Sequence, residues 1–302
     1  MIDFIQIDPN GLCNAGCWFC PVSLIGNPKD QQSQMSPELY ESIIKQIHEL
    51  KGDLVNPNLH FVYASHYNEV LLYRHFEEML KTLKKYNLTL CVLTNGVPLT
   101  PKKIDLINEY PGVVSQIAIN APIYEKRLFS KRTGMRESMF DSLISNIKYA
   151  EKNLYNPNIL LLQINGINER SNIVKKQNFP DLEPNEFQNQ INLAKLIFPN
   201  IRITEQWNLI DRAGLMDDVM ESKVPRGKVV GCISKRDTNW LHVSPKGHVF
   251  LCCNDFHMDY TFGDLNTSSL KKIWMSDKRK RVLQTAFKNI CTSCSSAIFE
   301  NE

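Results

Sequence analysis

The chain lacks the features that would send it out of the cell, into a membrane or onto a polyanion. Its formal net charge is only +3 over 302 residues, which gives no case for a nucleic-acid footprint. The N-terminus, Met1-Ile2-Asp3-Phe4, has no basic segment leading into an apolar core, so no secretory signal is expected. The longest apolar stretches, such as 159–162, are strand-sized and too short to span a bilayer. There is no internal repeat and no low-complexity segment. These absences read as a cytoplasmic globular protein with neither membrane nor nucleic acid among its partners. The length suits a single barrel, or one large domain and a small one.

Cysteine is the informative residue. There are nine, an odd number, and seven fall in two terminal groups: Cys13, Cys17, Cys20 and Cys252, Cys253, Cys291, Cys294. A cytosolic protein keeps no structural disulfides, so such groups bind metal or do chemistry. Cys91 stands alone in an apolar run, 88–94, and reads as a small core residue.

The first two-thirds alternates strand and helix patterns. Short aliphatic runs bounded by polar, Gly or Pro residues predict strands over 4–7, 59–65, 88–94, 115–120, 159–164 and 201–206. Between them lie apolar stripes at helical spacing: Leu39, Ile43, Ile44, Ile47 and Leu50 after a Ser36 cap; Leu72, Phe76, Met79, Leu80 and Leu83; Ile104 and Ile107 after Pro101; Met139, Leu143, Ile144, Ile147 and Ala150; Phe187, Ile191, Ala194, Leu196 and Ile197. All are expected to face the core. Six strands joined by five helices imply an α/β fold with a parallel sheet. Six βα units are too few for a closed eight-fold barrel, so a partial (β/α)6 barrel over 1–215 is expected, with ligands at the C-terminal strand ends. From about 216 to 302 a small α+β domain is expected. It carries a hairpin of 240–243 and 248–252, then helical stretches near 270–274 and 279–287.

Cys13-x3-Cys17-x2-Cys20 follows the first strand directly. Closely spaced thiolates on a loop wrap an iron–sulfur cluster, and three ligands leave one iron of a cubane open. A structural zinc site is the alternative, but it prefers four ligands in paired spacing. With Phe19 just before the last cysteine, the motif resembles that of the radical S-adenosylmethionine (SAM) superfamily. The resemblance implies a [4Fe-4S] cluster on Cys13, Cys17 and Cys20, with SAM chelating the open iron. One electron then cleaves the sulfonium, and the resulting 5′-deoxyadenosyl radical takes a hydrogen atom from substrate. An external electron donor such as flavodoxin or ferredoxin is implied as a partner. The cofactor carries this chemistry and the protein binds, orients and protects it.

Further segments resemble the family's SAM contacts, over residues 1 to about 210. Tyr67-Asn68-Glu69 stands where the family has Gly-Gly-Glu, with Glu69 matching the residue at the SAM amino group; a helix-terminal acid is its other reading. Thr94-Asn95-Gly96 ends the third predicted strand and Asn120 the fourth. Ile164-Asn165-Gly166-Ile167-Asn168-Glu169 resembles the family's adenine-contact segment, although Leu162 replaces its earlier glycine. The implied cofactor contacts are Phe19, Tyr67, Asn68, Glu69, Thr94, Asn95, Asn120, Ile164, Gly166 and Glu169.

In the C-terminal part, fourteen residues separate Cys232 from Gly247, four separate Gly247 from Cys252, and Cys291-x2-Cys294 follows. This resembles the auxiliary-cluster extensions called SPASM and twitch domains, as does Asp211-Arg212-Ala213-Gly214 ahead of it. The longer pattern's further cysteines do not follow Cys294. The resemblance therefore implies one auxiliary [4Fe-4S] cluster on Cys232, Cys252, Cys291 and Cys294; a four-cysteine zinc site is the alternative. Cys253 is left over as a spare ligand, a packed thiol or a catalytic hydrogen donor. Asp255 is a catalytic base, a support behind the ligands or a turn residue.

Three functions compete. One is a maturase that oxidises, cross-links or epimerises a peptide. The second is a dehydrogenase or epimerase of an amino sugar or other small molecule. The third is an iron–sulfur redox protein without turnover, against which the SAM motifs count. His66, Tyr67, Tyr124, Arg127, Arg132 and Trp207 are candidates to face either substrate.

Overall fold

The computed structural model describes residues 1–26, 32–64, 68–167, 185–207, 209, 212–216 and 227–300. The short aliphatic runs form strands because branched side chains fit a pleated surface buried on both faces. They are β1 (Phe4–Ile7), β2 (Phe61–Tyr63), β3 (Thr89–Thr94), β4 (Val114–Asn120), β5 (Leu160–Asn165) and β6 (Arg202–Gln206). They lie in chain order, and each pairs in parallel with the next. The crossovers carry the helices that parallel pairing requires: α1 (Pro21–Ile25), α2 (Pro37–Glu49), α3 (Phe76–Lys85), α4 (Pro101–Asn108), α5 (Lys126–Thr133), α6 (Ser138–Asn153) and α7 (Glu186–Ile197).

The apolar stripes are the faces laid on the sheet. On α2, Ile43, Ile44 and Ile47 are buried, and Ser36 caps the helix by accepting a bond from the Leu39 amide. On α7, Phe187, Ile191 and Ala194 are buried, but Leu196 is 78% exposed. Two residues beyond Ala194 is more than half a turn, which carries Leu196 to the solvent side. Cys91 is buried in β3 with Sγ 3.6 Å from the Ser115 hydroxyl.

The hairpin expected near the C-terminus is β8 (Trp240–Val243) and β9 (His248–Phe250). Its second strand is shorter than the expected 248–252. β8 lies parallel to β1, pairing Phe4 with Trp240 through Ile7 with Val243, so the hairpin extends the barrel sheet. With β10 (Thr261–Asp264) the order is β10-β9-β8-β1-β2-β3-β4-β5-β6. β7 (Val229–Cys232) pairs with β11 (Ala297–Phe299) in a separate two-stranded sheet; α9 (Asp277–Lys288) packs against β7 and β10, and α8 (Leu270–Trp274) against β10 and α2. Because Phe250 pairs with His242, β9 runs back toward the N-terminal end of β1. Cys13 therefore follows one end of this strand layer, while Cys252 follows the other.

Candidate active site

The loop after β1 is held by backbone bonds at its far end and in its middle. The Cys20 amide donates to the Cys17 carbonyl at 2.9 Å, and α1 begins at the next residue. The last turn of α5 grips the middle: Gly16 N donates to Thr133 O at 2.7 Å and Trp18 N to Arg132 O at 3.2 Å. Gly134 follows with φ 66, and a side chain there would press on the Gly16 backbone at 3.2 Å, so glycine serves both the left-handed turn and the close approach. Arg132 is itself fixed by a two-pronged buried bond to Glu186 on α7, at 2.7 and 2.6 Å. Leaving either partner of such a pair alone costs about 3–5 kcal/mol.

Cys13, Cys17 and Cys20 line one cavity of about 280 Å³ at the C-terminal strand ends, together with Phe19, Asn68, Glu69, Thr94, Asn95 and Asn120. Tyr67 and Glu169 lie outside the described residues. Ile164 faces the core and does not line the cavity. Gly166 borders a small neighbouring pocket with Trp18 and Phe187, and a Cβ there would fall 2.1 Å from the Phe187 ring, so only glycine lets α7 pack this closely. Phe19 meets Trp18 edge to face at 5.5 Å.

Glu69 is buried and both its oxygens are engaged. Oε1 accepts from the Leu71 amide at 3.1 Å and Oε2 from the Asn95 amide at 2.7 Å. Burial pushes its carboxyl up to about 7. Asn10 stitches this segment to the cysteine loop. Its Nδ2 donates to Glu69 O, its Oδ1 accepts from Leu12 N, and its carbonyl accepts from Asn68. Asn95 reaches Asn14 at 2.7 Å across the same loop. Asn10 escaped the sequence reading because Pro9-Asn10-Gly11 looks like any turn.

Two cross-strand pairs of carboxamides complete the wall: Asn120 beside Gln163, and Asn165 beside Gln206. The signal for Gln163 and Asn165 was the two-residue period along β5, which puts both on one face. Arg212 also lines the cavity and electrostatically favours the Cys20 thiolate. It begins three successive left-handed residues, with φ 56, 57 and 89 at Arg212, Ala213 and Gly214. Such conformations cost about 1–3 kcal/mol for non-glycine residues and gather at functional sites.

The donor set fits a [4Fe-4S] cluster with SAM. Burial raises all three thiols, Cys13 to about 12, so metal is needed to hold them as thiolates. The side-chain oxygens of Asn120 and Asn165 are buried with no hydrogen-bond partner among the described residues, leaving acceptors for a polar ligand. Among the described residues, no three His, Cys, Asp or Glu side chains gather round a single ion.

At the other end of the strand layer, Cys232, Cys252, Cys291 and Cys294 line a second, smaller cavity with Arg236, Asp237 and Asn254. Burial raises the thiols of Cys232, Cys252 and Cys291. Sulfur is already met by N–H groups here: Asn254 Nδ2 lies 3.3 Å and the Ser296 amide 3.4 Å from Cys294 Sγ. Four thiols lining one walled cavity suit a second cluster. Cys253 does not line it. The strand ends at Phe250, and a turn from Cys252 O to Asp255 N separates the two neighbours, so strand alternation is not what parts them. Both Asp255 oxygens accept backbone bonds, from Asp259 N and Tyr260 N at 3.0 Å, and burial pushes its carboxyl up to about 7. Its geometry is that of a turn residue.

Of the candidates for substrate contact, Tyr124 is buried against Phe198, Arg132 is held by Glu186, and Arg127 pairs with Glu125 at the surface. Trp207 packs partly against the core, and His66 and Tyr67 lie outside the described residues.

Parallel strands with a three-cysteine loop and a polar lumen at their C-terminal ends define a cluster-dependent, cofactor-binding enzyme. The model of the radical SAM superfamily matches residues 7–173, more than half the chain, and the chain belongs to that superfamily. The model of an iron–sulfur cluster-binding domain matches residues 232–295. The chain is thus a radical SAM enzyme whose cofactors are SAM and [4Fe-4S] clusters. The S-adenosyl-L-methionine-dependent 2-deoxy-scyllo-inosamine dehydrogenase of Niallia circulans is 19% identical, over 100% of this chain and 96% of that protein. The same fold appears in BtrN in complex with AdoMet and 2-DOIA, at 16% identity and TM-score 0.58, over 98% of this chain and 93% of that one. It also appears in Streptococcus suis SuiB bound to precursor peptide SuiA, at 11% identity and TM-score 0.61, over 97% of this chain and 69% of that one. Among the described residues, no helix is long and apolar enough to cross a membrane.

Proposed function

We propose that this enzyme dehydrogenates a small polyhydroxylated or amino-bearing ring, an amino sugar or cyclitol. The observation that carries this is the wall formed by Gln163, Asn165 and Gln206 beside the cysteine loop. Neutral carboxamides both donate and accept, which suits hydroxyl and amino groups. The Niallia circulans dehydrogenase, alike over the whole chain, supports the same reading. When bound, the cluster and SAM would supply a radical that removes one hydrogen atom, and the remaining electron and proton of the dehydrogenation would pass to the auxiliary cluster and to solvent. Cys13, Cys17 and Cys20 hold that cluster, Phe19 and Asn68 border SAM, and Thr94, Asn95 and Asn120 fix its polar groups. Cys232, Cys252, Cys291 and Cys294 hold the auxiliary cluster. The functional division falls near residue 215. An external donor such as flavodoxin or ferredoxin supplies electrons, and the cytoplasm is the compartment that cysteine usage supports.

Glu69 faces the SAM amino group in this reading, which gives a pH signature. Its carboxyl sits at about 7 in the fold against an ordinary 4.5. Without SAM, stability from this group is present below about 4.5 and is lost as pH rises to about 7. The N–H groups of the bound SAM amino group would favour the ionised form, which accepts their hydrogen bonds. SAM affinity should therefore rise up to about tenfold per pH unit below about 7 and level off above it. Calorimetric titration of the reconstituted enzyme at several pH values checks this; Glu69→Gln should flatten the profile.

The substrate class is tested by incubating reduced, reconstituted enzyme and SAM with aminocyclitols, amino sugars and peptides. A cyclitol or amino sugar should accelerate 5′-deoxyadenosine release and lose two hydrogens by mass. Acceleration by peptides alone would establish the maturase reading instead.

A further inference from the structure

We propose that Arg236 sets the reduction potential of the auxiliary cluster by directing guanidinium N–H groups at the sulfur atoms held by Cys232, Cys252, Cys291 and Cys294. This rests on the auxiliary-cluster reading of those cysteines. Arg236 lines their cavity, and its Nε and Nη1 are buried with no hydrogen-bond partner among the described residues. A buried cationic donor without an acceptor is costly, so its partner belongs in the space it faces. The Trp240 ring holds the guanidinium from one side, 5.2 Å from its centroid. The backbone around the residue is already directed at sulfur, since the Arg236 and Ser234 amides both favour the Cys232 thiolate by hydrogen bonding. Asn254, which lines the same cavity, offers its carboxamide to Cys294.

Reduction adds negative charge to a cluster. Hydrogen bonds to its sulfurs and a nearby cation stabilise that charge and raise the potential. Asp237 lines the same cavity with the opposite sign. Arg236 is therefore a positioning residue that acts on the metal site, and its charge is the operative property.

The test uses the full chain carrying Cys13→Ala, Cys17→Ala and Cys20→Ala, so that the auxiliary cluster alone is observed. Iron analysis comes first. About four irons per chain confirm the auxiliary cluster, and none would remove the reading on which this inference rests. An EPR-monitored redox titration then compares Arg236→Gln and Arg236→Lys with the parent. Arg236→Gln should shift the reduced-to-oxidised ratio at fixed potential about tenfold toward oxidised, a fall of 59 mV for one electron. Arg236→Lys should recover most of it. An unchanged midpoint in Arg236→Gln with iron retained overturns the proposal. Should Arg236→Gln lose its iron, pulsed EPR of the parent labelled with ¹⁵N-arginine decides. Coupling of the cluster spin to an arginine nitrogen supports the assignment, and its absence overturns it.

Discussion

Cys17→Ala is expected to release no 5′-deoxyadenosine from SAM under reducing conditions, where the parent enzyme releases it slowly without substrate and faster with it. The fold should survive, because what Cys17 gives the loop is its carbonyl, bonded to the Cys20 amide, and alanine keeps that bond. What it removes is one of three thiolates on a site with no spare ligand, since Cys13 and Cys20 are the remaining thiols of that cavity. Iron should fall from about eight to about four per chain after anaerobic reconstitution. Continued release of 5′-deoxyadenosine would sink the assignment of the loop. Formation of S-adenosylhomocysteine alone by the parent would point to methyl transfer rather than hydrogen abstraction.

Cys252→Ala and Cys253→Ala are expected to part company completely. Cys252 lines the cavity with Cys232, Cys291 and Cys294, whereas Cys253 sits beyond it with Sγ 4.0 Å from its neighbour's Asn254 Oδ1. Cys252→Ala should lose about four irons; Cys253→Ala should keep the full complement. Loss of iron from Cys253→Ala would reverse the ligand assignment. Full iron and intact SAM cleavage with no product would instead make Cys253 a hydrogen donor to the substrate radical.

The barrel strands were legible because each is a short aliphatic run between polar breaks, and the cysteine groups because their spacing is local. What escaped depends on contacts distant in sequence. Nothing in Trp240–Val243 says that it will lie beside Phe4–Ile7, a pairing made across more than two hundred residues. α5 went unread because it is short and mostly polar, and its value lies in where its last turn meets Gly16. Leu196 was misplaced because an apolar residue was counted into a stripe that its own helical angle excludes. Arg236 gave no signal, since the meaning of a single arginine lies in the atoms left unpaired around it.

The ladder joining β1 to β8 also acts as a ruler. One group of cysteines follows the end of β1, and the other gathers where β9 returns alongside its start. Four residues of strand span about 13 Å, and backbone hydrogen bonds fix that interval. The two strand ends cannot draw nearer without breaking the sheet. The spacing of the two cysteine groups is then a property of the folded backbone, set when the chain folds.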